Sequence, residues 1–329
     1  MSEKLHLTLA CGDYESIRAL KEGTVAADGI ELTVLTDMDS ETRHWRMLRN
    51  REFDVAEVSL SSYLMAKDRG HPFTAIPVFL HRRFRHGFVF TNVKAGIREP
   101  KDLIGRKVGA KTFQATAILW LRGILEHEYG VPQKQVHWVT ELDEDVEFTP
   151  LPGLSIERAA HGKRVEDMVA TGEVVAVLHP DLIDPFVAGD PRVGRLFPDY
   201  REVEIDYFKR TGIFPIMHTT ALKAELVEQH PWVVFNLMKA FEASKRAAYE
   251  RMKNPRIVPL AWYRSYQEME WEILGQDPWA YGLGDANRNN LETAIGYSHD
   301  SGLIGRRLAV DELFTDLSPG RGRGQRKRI

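Results

Sequence analysis

The stretch DVAEVSLSSYLMAKDRGHPFTAIPVFL, Asp54–Leu80, carries the pattern that decides the fold. DVAEVS reads as a strand. LSSYLMAKDRG then places Leu60, Tyr63 and Leu64 on one helical face, with Gly70 closing the helix. FTAIPVFL returns as another apolar strand. Upstream, KLHLTLA alternates as a first strand, and DYESIRALKEG reads as a helix with Asp13 as N-cap and Gly23 as C-cap. GIELTVLT is a strand and ETRHWRMLRNREF a helix. Strands alternating with helices predict an α/β domain with a mostly parallel sheet.

A second unit begins near Asn92. PKDLIGRKVGA leads into a strand, TFQATAILWLRGILEHEYG is a helix stopped by Gly130 and Pro132, and QVHWVT is a strand. ELDEDVEF, with five carboxylates, is expected to be a solvated loop. RVEDMVATGEVVAVLH reads as helix then strand, and GIFPIM as a further buried strand. From Pro231 onward the chain is helical, with Val234, Leu237, Met238 and Phe241 at amphipathic spacing. Two α/β units followed by helices predict two lobes with a cleft between them.

The 329 residues carry 44 Lys+Arg against 47 Asp+Glu, a net charge of −3, so no global field favours nucleic acid or an anionic membrane. Any anion site is therefore local. The single cysteine, Cys11, excludes an internal disulfide and a Cys-based zinc site. The N-terminal residues lack a basic segment followed by a long apolar run, so a cytoplasmic location is expected. The C-terminal SPGRGRGQRKRI, with Arg321, Arg323, Arg326, Lys327 and Arg328, is expected to be a disordered tail over 318–329.

In open α/β sheets, ligands bind beyond the C-terminal strand ends. Ser59, Ser61 and Ser62 stand at one such end, and Lys111, Thr112, Gln114 and Thr116 at another. Both groups open helices, whose free amides suit an anion. Two helix N-termini, one per lobe, would grip two ends of a dianion; simple capping is the competing reading. His179, Asp181 and Asp184 in HPDLID stand after another strand. His179 with Asp181 is the one weak candidate for a divalent metal. His218 follows GIFPIM, where a strand is expected to pass into a helix, and is a candidate acid or base.

HRRFRHGFVF, His81–Phe90, is the densest basic segment outside the tail. If it stays extended, His81, Arg83 and Arg85 share one face, and Arg82, Phe84 and His86 the other. Arginine forks suit carboxylates, which makes Arg83 or Arg85 the expected clamp, His86 a second polar contact, and Arg82 the residue left to solvent. No G-x-S-x-G, P-loop or strand-following G-x-G-x-x-G is present.

REFDVAEVSLSSYL, IPVFLHRRFRHGFVFTN, PKDLIGRKVGA and RTGIFPIMHTTAL, in this order, resemble the 4,5-dihydroxyphthalate decarboxylase family, itself related to type II periplasmic solute-binding proteins. PKDLIGRKVGA reports on the fold; SLSSYL, RRFRH and GIFPIMH are particular to the decarboxylase branch. Gly87, where a small hydroxyl residue is expected, and His179 depart from the family pattern. The resemblance implies an α/β, two-lobed type II binding-protein-like fold with a central cleft and two hinge crossovers. Lobe one would comprise 1–92 plus 216–317, and lobe two 93–215. It also implies a carboxy-lyase that converts 4,5-dihydroxyphthalate to protocatechuate in bacterial phthalate catabolism. The expected ligand is a small aromatic carboxylate, with no nucleic acid or membrane partner; a homo-oligomer stays open. No organic cofactor is expected, and a divalent metal is the open alternative. His218 or His86 would be the acid. Arg85 or Arg83 would hold the retained carboxylate, with Ser61, Ser62, Thr112, Gln114 and His179 around the phenolic oxygens. A cytoplasmic solute-binding or sensor protein without chemistry is the competing function.

Overall fold

The computed structural model describes residues 3–315. The basic segment 318–329 lies outside the described residues. Eleven strands form two sheets. They are β1 (Leu5–Ala10), β2 (Ile30–Leu35), β3 (Val55–Ser59), β4 (Phe73–Ile76), β5 (Val89–Asn92), β6 (Lys107–Ala110), β7 (His137–Thr140), β8 (Ser155–Arg158), β9 (Ala176–Leu178), β10 (Val193–Arg195) and β11 (His218–Lys223). The first sheet has the order β2-β1-β3-β11-β4, and the second β10-β5-β9-β6-β7-β8. In the first, β1 runs parallel to β2 and β3, while β11 is antiparallel to both its neighbours.

Two sequence expectations shift here. FTAIPVFL does not continue as one strand: β4 stops at Ile76, and Pro77, which has no amide to give a ladder, starts the crossover. GIFPIM is likewise a connecting segment; His218 opens β11 rather than closing a strand. The strand Val89–Asn92, expected in lobe one, pairs with β9 and β10 in the second sheet. The first crossover therefore occupies the residues between Ile76 and Val89, and the return lies just before His218.

The two crossovers hold each other. Arg83 N donates to Pro215 O at 3.1 Å, Met217 N to His81 O at 2.9 Å, and Arg82 bridges Ile216 in antiparallel fashion. Local pairing of this kind keeps the segment extended, so side chains alternate across it.

The helices α1 (Glu15–Lys21), α2 (Ser40–Asn50), α3 (Leu60–Asp68) and α4 (Thr116–Tyr129) each bury one or more faces in the core. One face of the first sheet packs Leu7, Leu9 and Val55 against Ile17 and Leu20 of α1 and against Val233, Leu237 and Phe241 of the long helix Trp232–Met252. The other face runs through α3 and α4 into a core shared by both lobes, which includes Val58, Leu64, Phe113, Trp120 and Leu291. Trp120 ties α4 to the return crossover by donating its indole N–H to Ile216 O at 2.9 Å.

Gly123 lets α4 approach the helix Asp285–Asp300 closely. A Cβ at this position would meet the Tyr297 ring at 2.0 Å. Glycine inside a helix is ordinarily less stable than alanine, but here overpacking reverses the sign. Gly123→Ala is expected to destabilise the protein by about 1–3 kcal/mol, read by urea denaturation. Equal or greater stability would show that the two helices separate freely.

Candidate active site

Glu57 stands in the middle of an apolar strand whose five residues are all buried. Register explains its neighbours. His218 faces Ser59 and Thr220 faces Glu57 across the β3–β11 pair, so Glu57 and His218 are diagonal neighbours on one face. His218 Nδ1–H donates to Glu57 Oε1 at 2.6 Å, and the Tyr14 hydroxyl donates to the same oxygen at 2.8 Å. The other oxygen accepts from Gly12 N and from the Arg43 guanidinium, each at 2.8 Å. Arg43 comes from the buried face of α2 and is 2% exposed.

Burial pushes the Glu57 carboxyl up, but His218, Arg43 and the Gly12 amide outweigh it and hold the group well below the usual carboxylate range. Glu57 is thus a fixed anion with its counter-charge built in. It orients the His218 ring with Nδ1 toward the carboxylate, so that Nε2 is the nitrogen not engaged by Glu57.

Two further imidazoles meet His218 edge-on. The His44 and His81 rings each lie 4.7 Å from it, centroid to centroid. Burial, reinforced by His218 and Arg43, holds His44 far below the ordinary histidine range. Burial, reinforced by His218, Arg85 and Arg83, pushes His81 down to about 2. Both are neutral at working pH. The Nε2 of His44 and both ring nitrogens of His81 are buried without a hydrogen-bond partner.

The alternation expected along His81–Arg85 is observed. Arg82 turns away from His81, Arg83 and Arg85, but into protein rather than solvent. It is 5% exposed, donates to Phe214 O and Ala280 O at 3.2 Å each, and bonds the Asn287 side chain. The expectation of a solvated Arg82 fails because the helical C-terminal third covers that side. Arg83 is partly exposed and pairs with Asp181 at 3.2 Å. Arg85 is 1% exposed, and its Nη1 and Nε donate to Pro180 O at 2.6 Å and Met217 Sδ at 3.0 Å. Among the described residues no carboxylate pairs with it within 4.0 Å. Burial, with Arg83 adding to it, lowers its pKa to about 9. A desolvated guanidinium whose direct partners are neutral acceptors has the chemistry to receive an anion.

His179 stands next to Pro180, whose carbonyl holds Arg85. Its Nδ1 meets the backbone of Asp181 twice, 2.8 Å from the carbonyl oxygen and 3.1 Å from the amide nitrogen, and its Nε2 is buried without a partner. Burial lowers its pKa. Asp181 pairs through its carboxylate with Arg83 at 3.2 Å. Among the described residues, no group of three or more His, Cys, Asp or Glu side chains is arranged to hold a metal.

His86 does not join His218. Alternation ends at a 3₁₀ turn over His86–Phe88, and the ring enters an aromatic cage of Tyr129, Phe197 and Tyr207. It is 1% exposed, and burial lowers its pKa to about 4. Gly87, the departure beside it, lies where a Cβ would meet the Tyr200 ring at 2.8 Å.

The two helix N-termini expected to grip a dianion grip each other instead. Thr116 Oγ1 accepts from Ser61 N at 3.0 Å and shares a 2.8 Å bond with Ser59 Oγ. Ser62 Oγ donates to Asp145 at 2.9 Å. The amides of Phe113 and Gln114, before α4, donate to the Glu144 carboxylate at 2.7 and 3.0 Å. Gln114 Oε1 accepts from Val146 N at 3.2 Å, and Thr112 Oγ1 from Ala115 N at 3.2 Å. The acidic loop is therefore not simply solvated: it supplies the anion for this helix start, and its Glu144 and Asp145 carbonyls accept from Arg49. In this group Ser61 Oγ and Gln114 Nε2 are buried without a partner.

Tyr14, Arg43, His44 and Glu57 were missed by sequence reasoning. The usable signals were a carboxylate inside an otherwise apolar strand and an Arg-His pair on the core side of an amphipathic helix.

The two sheets, joined by paired crossovers, define a two-lobed α/β protein of the periplasmic-binding-protein-like class. The periplasmic aliphatic sulphonate binding protein SsuA from Escherichia coli superposes with a TM-score of 0.56 at 11% identity, over 98% of this chain and 96% of that one. Residues 16–147 match the family described as NMT1/THI5 like. A 4,5-dihydroxyphthalate decarboxylase from Comamonas testosteroni is 36% identical over 96% of this chain and 98% of its own length. One from Pseudomonas putida is 32% identical over 63% of this chain and 82% of its own. The chain belongs to the 4,5-dihydroxyphthalate decarboxylase family.

The charge network sets a pH profile. His44 and His81 sit below their ordinary 6.5, and Glu57 below its ordinary 4.5. In each case the unfolded chain binds more protons as pH falls through the ordinary value, so stability is lost. Melting temperature is expected to drop as pH goes below 6.5 and more steeply below 4.5. Glu57→Gln leaves Arg43 buried and unpaired, a loss of about 3–5 kcal/mol at neutral pH, and it flattens the second decline. An unchanged acid limb in Glu57→Gln would show that Glu57 is not held ionised.

Proposed function

We propose that the protein is a carboxy-lyase that removes one carboxylate from 4,5-dihydroxyphthalate to give protocatechuate, without an organic cofactor. The observation that carries this reading is a histidine backed by a buried carboxylate, its neighbour Met217 touching a buried arginine that has no carboxylate within 4.0 Å among the described residues. Relatives named for this activity support the substrate.

Direct loss of CO2 from an arene would leave an aryl carbanion. The ring hydroxyl para to the leaving group avoids it. Loss of the phenolic proton pushes electron density to the carbon bearing the carboxylate. His218, as imidazolium, gives that carbon a proton from Nε2, forming a cyclohexadienone. The C–CO2 bond then breaks, its electron pair restores the aromatic ring, and the phenolate takes a proton back. The balance is one carboxylate and one proton in, one C–H bond and CO2 out. Glu57 positions His218 and faces the charge on its ring. Arg85 holds the retained carboxylate. His179, through Nε2, and Ser61, through its hydroxyl, are further polar contacts. Closure of the lobes over the substrate keeps water from the departing carboxylate. A cytoplasmic location is part of this proposal, which cell fractionation tests.

Incubation with 4,5-dihydroxyphthalate should release one CO2 per molecule consumed. Thermal stabilisation by the acid without turnover would instead mark a binding protein. His218→Gln should lower kcat about 10²–10⁴-fold with little change in ligand affinity. Arg85→Gln should act mainly on KM. His86→Phe should leave kcat within about threefold, since its cage holds no reacting group. Dialysis against a chelator should leave turnover intact; loss restored by a divalent ion would assign a metal instead.

A further inference from the structure

Arg85 accounts for a carboxylate and His218 for a proton, yet neither recognises the ring hydroxyls on which the chemistry depends. Around His218, the Nε2 of His44 and both ring nitrogens of His81 are buried and unpartnered, on rings 4.7 Å from it and contributed by two elements, α2 and the first crossover. Other buried atoms share that state, among them both ring nitrogens of His86, but that ring is enclosed by Tyr129, Phe197 and Tyr207 rather than set against His218. Leaving such atoms unpaired is costly, and a ligand hydroxyl can supply the missing partner.

We propose that His44 and His81 are specificity-determining residues that read the adjacent hydroxyl pair of the substrate ring. This inference rests on the decarboxylase reading for its substrate class. A neutral imidazole offers one donor and one acceptor, the same complement as a phenolic hydroxyl. A carboxylate offers acceptors alone, and the counter-ion-free cation that suits it is Arg85. Burial and the neighbouring Arg43, Arg83 and Arg85 keep both imidazoles neutral, so they do not compete for the anionic end of the substrate. The site thereby sorts the two functional groups by charge. An analogue without hydroxyls would leave the imidazoles unpaired, which is the strongest form of discrimination open to a small site.

Calorimetric titration of the full chain with 3,4-dihydroxybenzoate and with benzoate isolates the two hydroxyls, since neither ligand carries a second carboxylate to lose. The wild type should bind the dihydroxy ligand at least about tenfold more tightly. His81→Phe should lower that ratio by about tenfold while shifting the benzoate affinity by no more than about threefold. His81→Gln, which restores a donor and an acceptor, should recover part of it. If His81→Phe fails to fold, His44→Leu reads the same ratio. The proposal is overturned if the wild type shows no preference or binds neither ligand, or if the variants weaken both ligands equally. CO2 release from 4,5-dihydroxyphthalate is scored separately: a preserved ratio effect without CO2 would overturn the decarboxylase reading and leave the hydroxyl reading standing.

Discussion

The buried Glu57 carboxylate is the constraint around which this site is arranged. An anion taken out of water inside a five-residue apolar strand is tolerable only if every lone pair is engaged and a cation is within reach. Gly12, Tyr14, Arg43 and His218 supply those partners from β1's end, α2 and β11. Satisfying one carboxylate therefore fixes three elements relative to each other. It also sets the ring of His218, and through its edges the rings of His44 and His81. The arrangement of the three imidazoles follows from a solvation requirement.

The second lobe contributes by a different logic. Its helix α4 opens against α3 of the first lobe, and the hydroxyls of Ser59 and Thr116 satisfy each other there. Glu144 fills the remaining amides. Helix starts are attractive to anions, and here the protein spends that attraction on its own side chains. What is left for a ligand anion is Arg85, whose neutral neighbours Pro180 O and Met217 Sδ orient the guanidinium without neutralising it.

Most of the fold was legible because periodicity is local. The alternation of strands and helices through residue 90, the stop of α4 at Gly130 and the start of the long helix after Pro231 all follow from short-range rules. Errors came where a distant partner decides. FTAIPVFL looked like one strand until Pro77 ended its ladder. Arg82 looked solvated because nothing near it in sequence announces Asn287. Gln114 looked open because the carboxylate capping its amide lies 30 residues away. His218 and Arg85 could be singled out from residue type and place. Of His81 and His86, five residues apart in one basic run, the sequence favoured His86, since nothing local announces the 3₁₀ turn that carries its ring into the aromatic cage.

The paired crossovers have a kinematic consequence. Points on a rotation axis do not travel, and points near it travel little. His81, Arg85, Met217 and His218 all lie on or beside the two strands of chain that join the lobes. Lobe rotation about those strands would move the α3–α4 contact and the acidic loop further than it moves His218 and Arg85. Access to the site and the spacing of those two side chains would then be separate degrees of freedom. Opening the molecule to exchange substrate and product need not dismantle the chemistry each time.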